Sequence, residues 1–282
     1  MPNYVTHRVK VSGPEDKIAA LVDKMVKKEE SRFDGLIDVF DFNTLIPMPQ
    51  RLQDMTKGSE LDVGLALLGY EGATLEKMRQ GNFSSKPEKI GVKKAMINYL
   101  KRPWAKDKGI SSVEDMEAYL KKQSPNAIAL AERGLANLRD YGYTDWYDWA
   151  IDNWGTKWNA CNYSQSSRRE GYWEFNFDTA WSYAEPIFEH LSAEFPELEF
   201  DVAYIDEGWG FAGTEVWVGG TSVSQTMQEY DKEDESYMRQ MYEEVFGEPP
   251  EDEEEEWDED PWAKESTDRF ALILGPGERL PN

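Results

Sequence analysis

The chain has 282 residues, 40% of them hydrophobic and 13% aromatic, and a formal net charge of −24. That is enough for one large domain or two small ones with a true core, whereas its longest apolar stretch, Val63 to Leu68, is far too short to cross a bilayer. So negative a field repels nucleic acid and anionic membrane unless a basic segment forms its own face, and the single cysteine, Cys161, excludes an intrachain disulfide and a cysteine-rich zinc site. No basic segment followed by an apolar run opens the chain, so no secretory leader is expected and a reducing cytoplasm is the natural compartment.

Tyr4 to Val11 alternates as a strand, with Val5, His7, Val9 and Val11 on one face. Ser12-Gly13-Pro14 ends it, and Ile18, Leu21, Val22 and Met25 then recur at helical spacing. Leu36 to Phe42 reads as a second strand, stopped by the prolines of Leu45-Ile46-Pro47-Met48-Pro49. Helices are expected from Ser59 to Leu68, from Lys86 to Leu100, after Ser112 with Asp115 completing an approximate capping box, and from Ser124-Pro125 to Leu138. Asp145 to Tyr163 places Trp146, Trp149, Trp154 and Trp158 close together, with Asp145 a plausible N-cap and Gly155 a stop.

From Thr156 the period changes to that of strands. Ser164 to Gly171 reads as a polar loop and Tyr172 to Phe177 as a strand alternating Trp173, Phe175 and Phe177. Thr179 to Phe195 reads as a helix, and Leu198 to Ile205 and Phe211 to Val218 as a hairpin with Val216 and Val218 on one face. The second half is thus β-β-α-β-β, for which a ferredoxin-like layer is the nearest common solution. Met227 to Phe246 suggests one amphipathic helix, and Glu243 to Asp260 holds twelve acidic and no basic residues, which argues against packing there. Phe270 to Leu274 could return as an edge strand.

The expected fold is therefore α+β: an antiparallel ferredoxin-like sheet layer, a helical N-terminal and insert region, and an acidic C-terminal extension. The expected divisions are 1–144, 145–223 and 224–282.

Three segments carry a resemblance: Asn3 to Gly13 (NYVTHRVKVSG), Asp41 to Pro49 (DFNTLIPMP) and Asn153 to Ala160 (NWGTKWNA). Phe177-Asp178-Thr179-Ala180-Trp181 and Gly208 to Gly213 fit the same pattern. Together they resemble the Api92-like, or YubB-like, family over roughly residues 1–220. The resemblance implies a ferredoxin-like C-terminal part and a phage, prophage or plasmid setting in a bacterial cytoplasm. It brings no established catalytic residues.

Several motifs have plainer readings than the chemistry they suggest. Gly208-Trp209-Gly210-Phe211-Ala212-Gly213 matches G-x-G-x-x-G, but a strand rather than a helix follows, and Asp206 and Glu207 would repel phosphate, so it reads as a hairpin turn. His7 and His190 are the only histidines, and Cys161 with His190 is the only conceivable thiol pair. Asp145, Asp148 and Asp152 could bind a cation but read better as a solvated helix face. Trp173, Phe175 and Phe177 lack interleaved basic residues, so they read as core rather than a base-stacking sheet.

Charge is the remaining signal. Residues 224–282 hold 20 acidic and 5 basic side chains, whereas residues 86–139 hold 12 basic and 6 acidic ones. The expected role is non-enzymatic and needs no cofactor or metal: binding and inhibiting a host defence or DNA-processing protein that has a basic, nucleic-acid-binding surface, in the manner of an acidic DNA mimic. The expected contact residues are Tyr237, Tyr242, Glu243 and the run Glu251, Asp252, Glu253, Glu254, Glu255 and Glu256. The alternatives are nucleic-acid binding through Lys93, Lys94, Lys101, Arg102, Lys121 and Lys122, and a carboxylate–metal enzyme. No membrane partner is expected, and self-association stays open.

Overall fold

The structure, a computed structural model, describes residues 3–31, 35–55, 58–70 and 89–250. It divides into a unit of residues 1–248 and a second of 249–282. The first is built on a six-stranded antiparallel sheet in the order β4-β5-β1-β6-β7-β8. Its strands are β1 (Tyr4–Ser12), β4 (Cys161–Arg169), β5 (Tyr172–Ala180), β6 (Glu199–Asp206), β7 (Phe211–Val218) and β8 (Thr221–Glu229).

β1 lies in the middle of the sheet, antiparallel to β5 on one side and β6 on the other. β5 and β6 therefore run parallel, and α9 (Glu185–Glu194) makes the crossover between them. The divisions expected after residues 144 and 223 are both crossed by this sheet. The opening strand is its centre, and β8 is its last member.

One sheet face carries Val5, His7, Val9 and Val11 of β1, opposite Trp173, Phe175 and Phe177 of β5 and Phe200, Val202 and Tyr204 of β6. All are buried. Rings stack down β5, with Trp173 and Phe175 centroids 4.0 Å apart. Against this face pack Ile18, Leu21 and Met25 of α1 (Glu15–Met25), Ile187, Phe188 and Leu191 of α9, and the tryptophans of α8 (Trp146–Trp154). The core reading of the β5 aromatics is the observed one. The second expected strand exists as β3 (Gly35–Phe40), but it pairs with β2 (Val26–Ser31) in a separate hairpin rather than with β1.

Asp145 caps α8, accepting from the Tyr147 amide at 3.0 Å, and Gly155 ends it at φ +75°. A Cβ there would lie 2.7 Å from Pro186 Cδ, so Gly155 answers both the left-handed backbone and the close approach of α9. Trp154 packs edge-on to Trp149 and donates its indole N–H to the Ile46 carbonyl at 2.9 Å.

The four helices expected in the insert are present as α3 (Ser59–Leu67), α4 (Val92–Leu100), α6 (Val113–Gln123) and α7 (Ala127–Tyr141), and two short helices join them that were not expected, α2 (Gln50–Gln53) before the insert and α5 (Pro103–Asp107) within it. It has a core of its own around Met96, Ala105, Met116 and Leu120. The Ser112 hydroxyl accepts from the Asp115 amide at 3.0 Å, the expected cap. Ser124-Pro125 lies one step before α7, whose N-cap is Asn126.

Three expectations in the second half are corrected. Residues 164–169 belong to strand β4, not to a loop. The stretch from Thr179 begins as the end of β5, and its helix starts only at Glu185, because Trp181 takes a left-handed φ of +71° that no helix accommodates. On β7, Val216 and Val218 share one face, as expected, and are half-buried, while the other face buries Glu215 and Trp217. Residues 221–229 are strand β8, so Met227 lies in the sheet and the helix is only α10 (Ser236–Phe246). Phe270 to Leu274 lies outside the described residues.

Candidate interaction surface

α10 covers the opposite sheet face. Met238, Met241 and Val245 recur at three- and four-residue steps and are buried against Ala203 and Ile205 of β6 and Ala212 of β7. Its C-terminal turn is tied to the centre of the sheet. Arg8 donates to the Glu244 carbonyl, Lys10 Nζ pairs with the Glu244 carboxylate at 2.7 Å, and Arg8 Nε pairs with Glu174 at 2.6 Å. Cations at a helix C-terminus also meet the negative end of its dipole.

The outward side of α10 and the turn before it are acidic. Asp231, Glu233, Asp234 and Glu243 are exposed. The turn is ordered by its own carboxylates: Asp231 accepts from the Glu233 amide at 2.9 Å and Asp234 from the Ser236 amide at 3.0 Å. Those bonds hold the Asp234 carboxyl below its usual range, the Ser236 hydrogen bonds being the cause.

The expected contact residues divide here. Glu243 faces solvent. Tyr237 does not: it is packed against the sheet, burial raises its hydroxyl pKa, and that hydroxyl has no hydrogen-bond partner among the described residues. Tyr242 lies between Trp209 and Phe246, with ring centroids 6.2 and 4.5 Å away. Both tyrosines were expected to grip a partner, and both instead fix α10 to its own domain. An amphipathic pattern gives the apolar stripe but not what covers it. Glu251 to Glu256 lie outside the described residues.

The Gly208 to Gly213 segment is the β6–β7 turn, as expected. Asp206 Oδ2 accepts from the amides of Gly208 and Gly210 at 3.1 and 3.0 Å. The amides that a phosphate would need are already bonded to a carboxylate.

His7 is completely buried. Its Nδ1 lies 3.0 Å from the Val5 carbonyl, Nε2 accepts from the Ala184 amide at 3.4 Å, and the ring stacks on Phe177 at 4.6 Å. Burial lowers its pKa to about 3, so it is a neutral core residue at ordinary pH. Cys161 and His190 are each engaged elsewhere. The thiol lies against the Asp178 carbonyl, with burial pushing it up to about 11, and the His190 ring lies 2.8 Å from the Pro186 carbonyl. Asp145 uses both oxygens, accepting from the Tyr147 amide and the Thr144 hydroxyl. Among the described residues no three His, Cys, Asp or Glu side chains gather where they could hold a metal ion. The basic residues Lys93, Lys94, Lys101, Arg102, Lys121 and Lys122 are all exposed on the helical insert, with Lys121 paired to Glu117 at 2.6 Å.

One cluster escaped the sequence. Glu215, on the buried face of β7, meets the Tyr183 hydroxyl, which also accepts from the Trp217 indole N–H at 3.0 Å. Glu215 Oε2 has no partner among the described residues, and burial holds the Tyr183 pKa far above its usual value. The available signal was a charged residue at the same parity as Trp217. Tyr183→Phe removes the acceptor for Trp217 and the donor for Glu215 together. It is expected to cost about 1–3 kcal/mol, read as a lower urea midpoint with an unchanged m-value.

The segments that carried the resemblance hold one another. The Phe42 amide donates to Asn159 Oδ1 at 2.8 Å, Asn159 Nδ2 donates to Asp41 at 2.7 Å, and the Thr156 hydroxyl exchanges hydrogen bonds with the backbone of Ala180. They are scaffold.

Among curated proteins none matches this chain. A crystal structure of protein api92 from Yersinia pseudotuberculosis is similar with a TM-score of 0.38 and 15% identity, covering 82% of this chain and 99% of that one. Residues 153–247 match the family model described as the ferredoxin-like domain in Api92-like protein. That match runs beyond residue 220 and takes in β8 and α10, so these belong to the family's domain and are not an appendage to it. Residues 153–247 therefore carry a ferredoxin-like domain of the kind described in Api92-like proteins.

Proposed function

We propose that the chain is a non-enzymatic accessory protein of a phage or other mobile element. In the cytoplasm of a bacterial host it binds and inhibits a defence or DNA-processing protein through its acidic C-terminal surface. The observation that carries this reading is the docking of α10. Its apolar stripe is buried and its C-terminus is held by Arg8 and Lys10, so Glu243 and the carboxylates of the preceding turn stand on a fixed support. A pre-ordered acidic surface loses little conformational freedom on meeting a basic partner, and its field accelerates the encounter. The run Glu251 to Glu256 follows directly in sequence and adds charge of the same sign. No helix among the described residues is long and apolar enough to cross a membrane.

The test is capture by the tagged full chain from bacterial lysate, with the captured protein identified and then challenged. A basic nucleic-acid-binding protein is expected, released both by added duplex DNA and by raised salt. Capture indifferent to both would overturn the reading. A second reading uses the exposed lysines of the insert to bind nucleic acid; direct DNA binding by the purified chain, weakening steeply with salt, would favour it instead.

A further inference from the structure

The two edges of the main sheet differ. β4 has two register irregularities against β5, carries Arg168 and Arg169, and has β3 beside it. These are ordinary ways of blocking an edge. β8 contains no Lys, Arg or Pro, and among the described residues it pairs only with β7. Its single irregularity is at Val223, the extra residue between the Val216–Ser224 and Trp217–Ser222 pairs. From Ser224 the register is unbroken to Glu229, and the Tyr230 amide continues it to the Gly210 carbonyl at 3.0 Å. The middle residue of this regular stretch is Met227, which is 53% exposed.

We propose that the outer edge of β8 pairs antiparallel with β8 of a second copy, about a two-fold axis through Met227. A symmetric contact must be self-complementary, and this segment is. In that register Met227 meets Met227, Thr226 meets Gln228, Gln225 meets Glu229 and Ser224 meets Tyr230. The exposed apolar side chain is covered by its own copy, and Gln225 offers an amide to the only charge on the strand. No like charges face each other directly, although each chain carries −24 overall. The paired edges would join two six-stranded sheets into one. So short a ladder buries less than the ~1,600 Å² of a standard interface, so the dimer dissociates on dilution. Added salt screens the repulsion between the two acidic chains and strengthens it. Salt acts in the opposite direction on capture of a basic partner, so failure of one proposal is distinguishable from failure of the other.

Light scattering on the full chain across a concentration series is expected to show the apparent mass rising toward twice that of one chain. Met227→Lys, which sets two ammonium groups against each other, should return it to the monomer. Met227→Cys places two thiols on the axis, where directly opposed strand residues lie about 4.5–5.5 Å apart between Cα atoms, within disulfide reach. It should give a disulfide-linked dimer under mild oxidation that the parent, with only half-buried Cys161, does not. A chain that stays monomeric at the highest concentration overturns the proposal, whether its edge is left free or covered by residues 270–274. So does a dimer unaffected by Met227→Lys, or one in which Gln225→Cys cross-links and Met227→Cys does not.

Discussion

A chain ending at Gly220 is expected to aggregate or lose cooperative unfolding, whereas one ending at Glu248 should keep the melting temperature of the full chain. Removing residues 221–282 deletes β8 and α10 and strips the cover from Ala203, Ile205 and Ala212. Burial of Met238, Met241 and Val245 contributes about 1.5–3 kcal/mol each, roughly 5–9 kcal/mol together as an upper estimate. That is comparable with the whole stability of a typical domain, about 5–15 kcal/mol. The shorter cut also leaves the β7 edge unpaired and Arg8 and Lys10 without Glu244. Differential scanning calorimetry on the two truncations decides it; a well-folded chain ending at Gly220 would mean that α10 is not integral. The same pair of truncations separates the two acidic regions, because the chain ending at Glu248 loses Glu251 to Glu256 and keeps Glu243. Weaker partner capture by that shorter chain would place the contact in the run, and unchanged capture would place it on α10 and its turn.

The second large effect concerns His7. Its folded pKa is lowered to about 3 by burial, while in the unfolded chain it titrates near 6.5. Below pH 6.5 the unfolded state therefore takes up a proton that the folded state refuses. The stabilising contribution is complete above 6.5 and is lost as pH falls toward 3. The loss is about 1.4 kcal/mol per pH unit once well below 6.5, or on the order of 2–3 kcal/mol by pH 4.5. His7→Gln removes the titration but keeps a polar side chain near the Val5 carbonyl and the Ala184 amide. The variant should be less stable than the parent at neutral pH, and the difference should shrink as the pH is lowered. Comparing the two at each pH cancels the effect of the many carboxylates, whose protonation relieves repulsion in both. A parent–variant difference constant from pH 7 to 4.5 would show that the ring is accessible to protons.

The buried strands were legible because burial on one face imposes period two. Val5, His7, Val9 and Val11, and again Trp173, Phe175 and Phe177, declare a face whatever they pack against. The helix caps were legible for a similarly local reason: Ser112, Asp145 and Gly155 act within a turn of their own position. The strands at or next to solvent were not. β4 and β8 are the sheet's edges, exposed along most of their length, so nothing selects an alternating pattern, and their Ser, Gln, Thr and Asn composition reads as loop. Missing β8 merged its Met227 into the helix that follows and made α10 look like a free, partner-seeking helix.

The sequence by itself determined the α+β class, the helical insert, most buried strands and the uneven distribution of charge, since each depends on spacing or composition over a few residues. Only the tertiary structure decided that the first strand is the centre of the sheet built by the last five. Strand order is set by which faces and edges match across more than a hundred and fifty residues, and local periodicity carries no information about that. The same holds for α10. Its stripe of Met238, Met241 and Val245 is written in the chain, but that the stripe is covered by β6 and β7, turning Tyr237 and Tyr242 inward and leaving the carboxylates outside, depends on a surface that exists only once the sheet has formed.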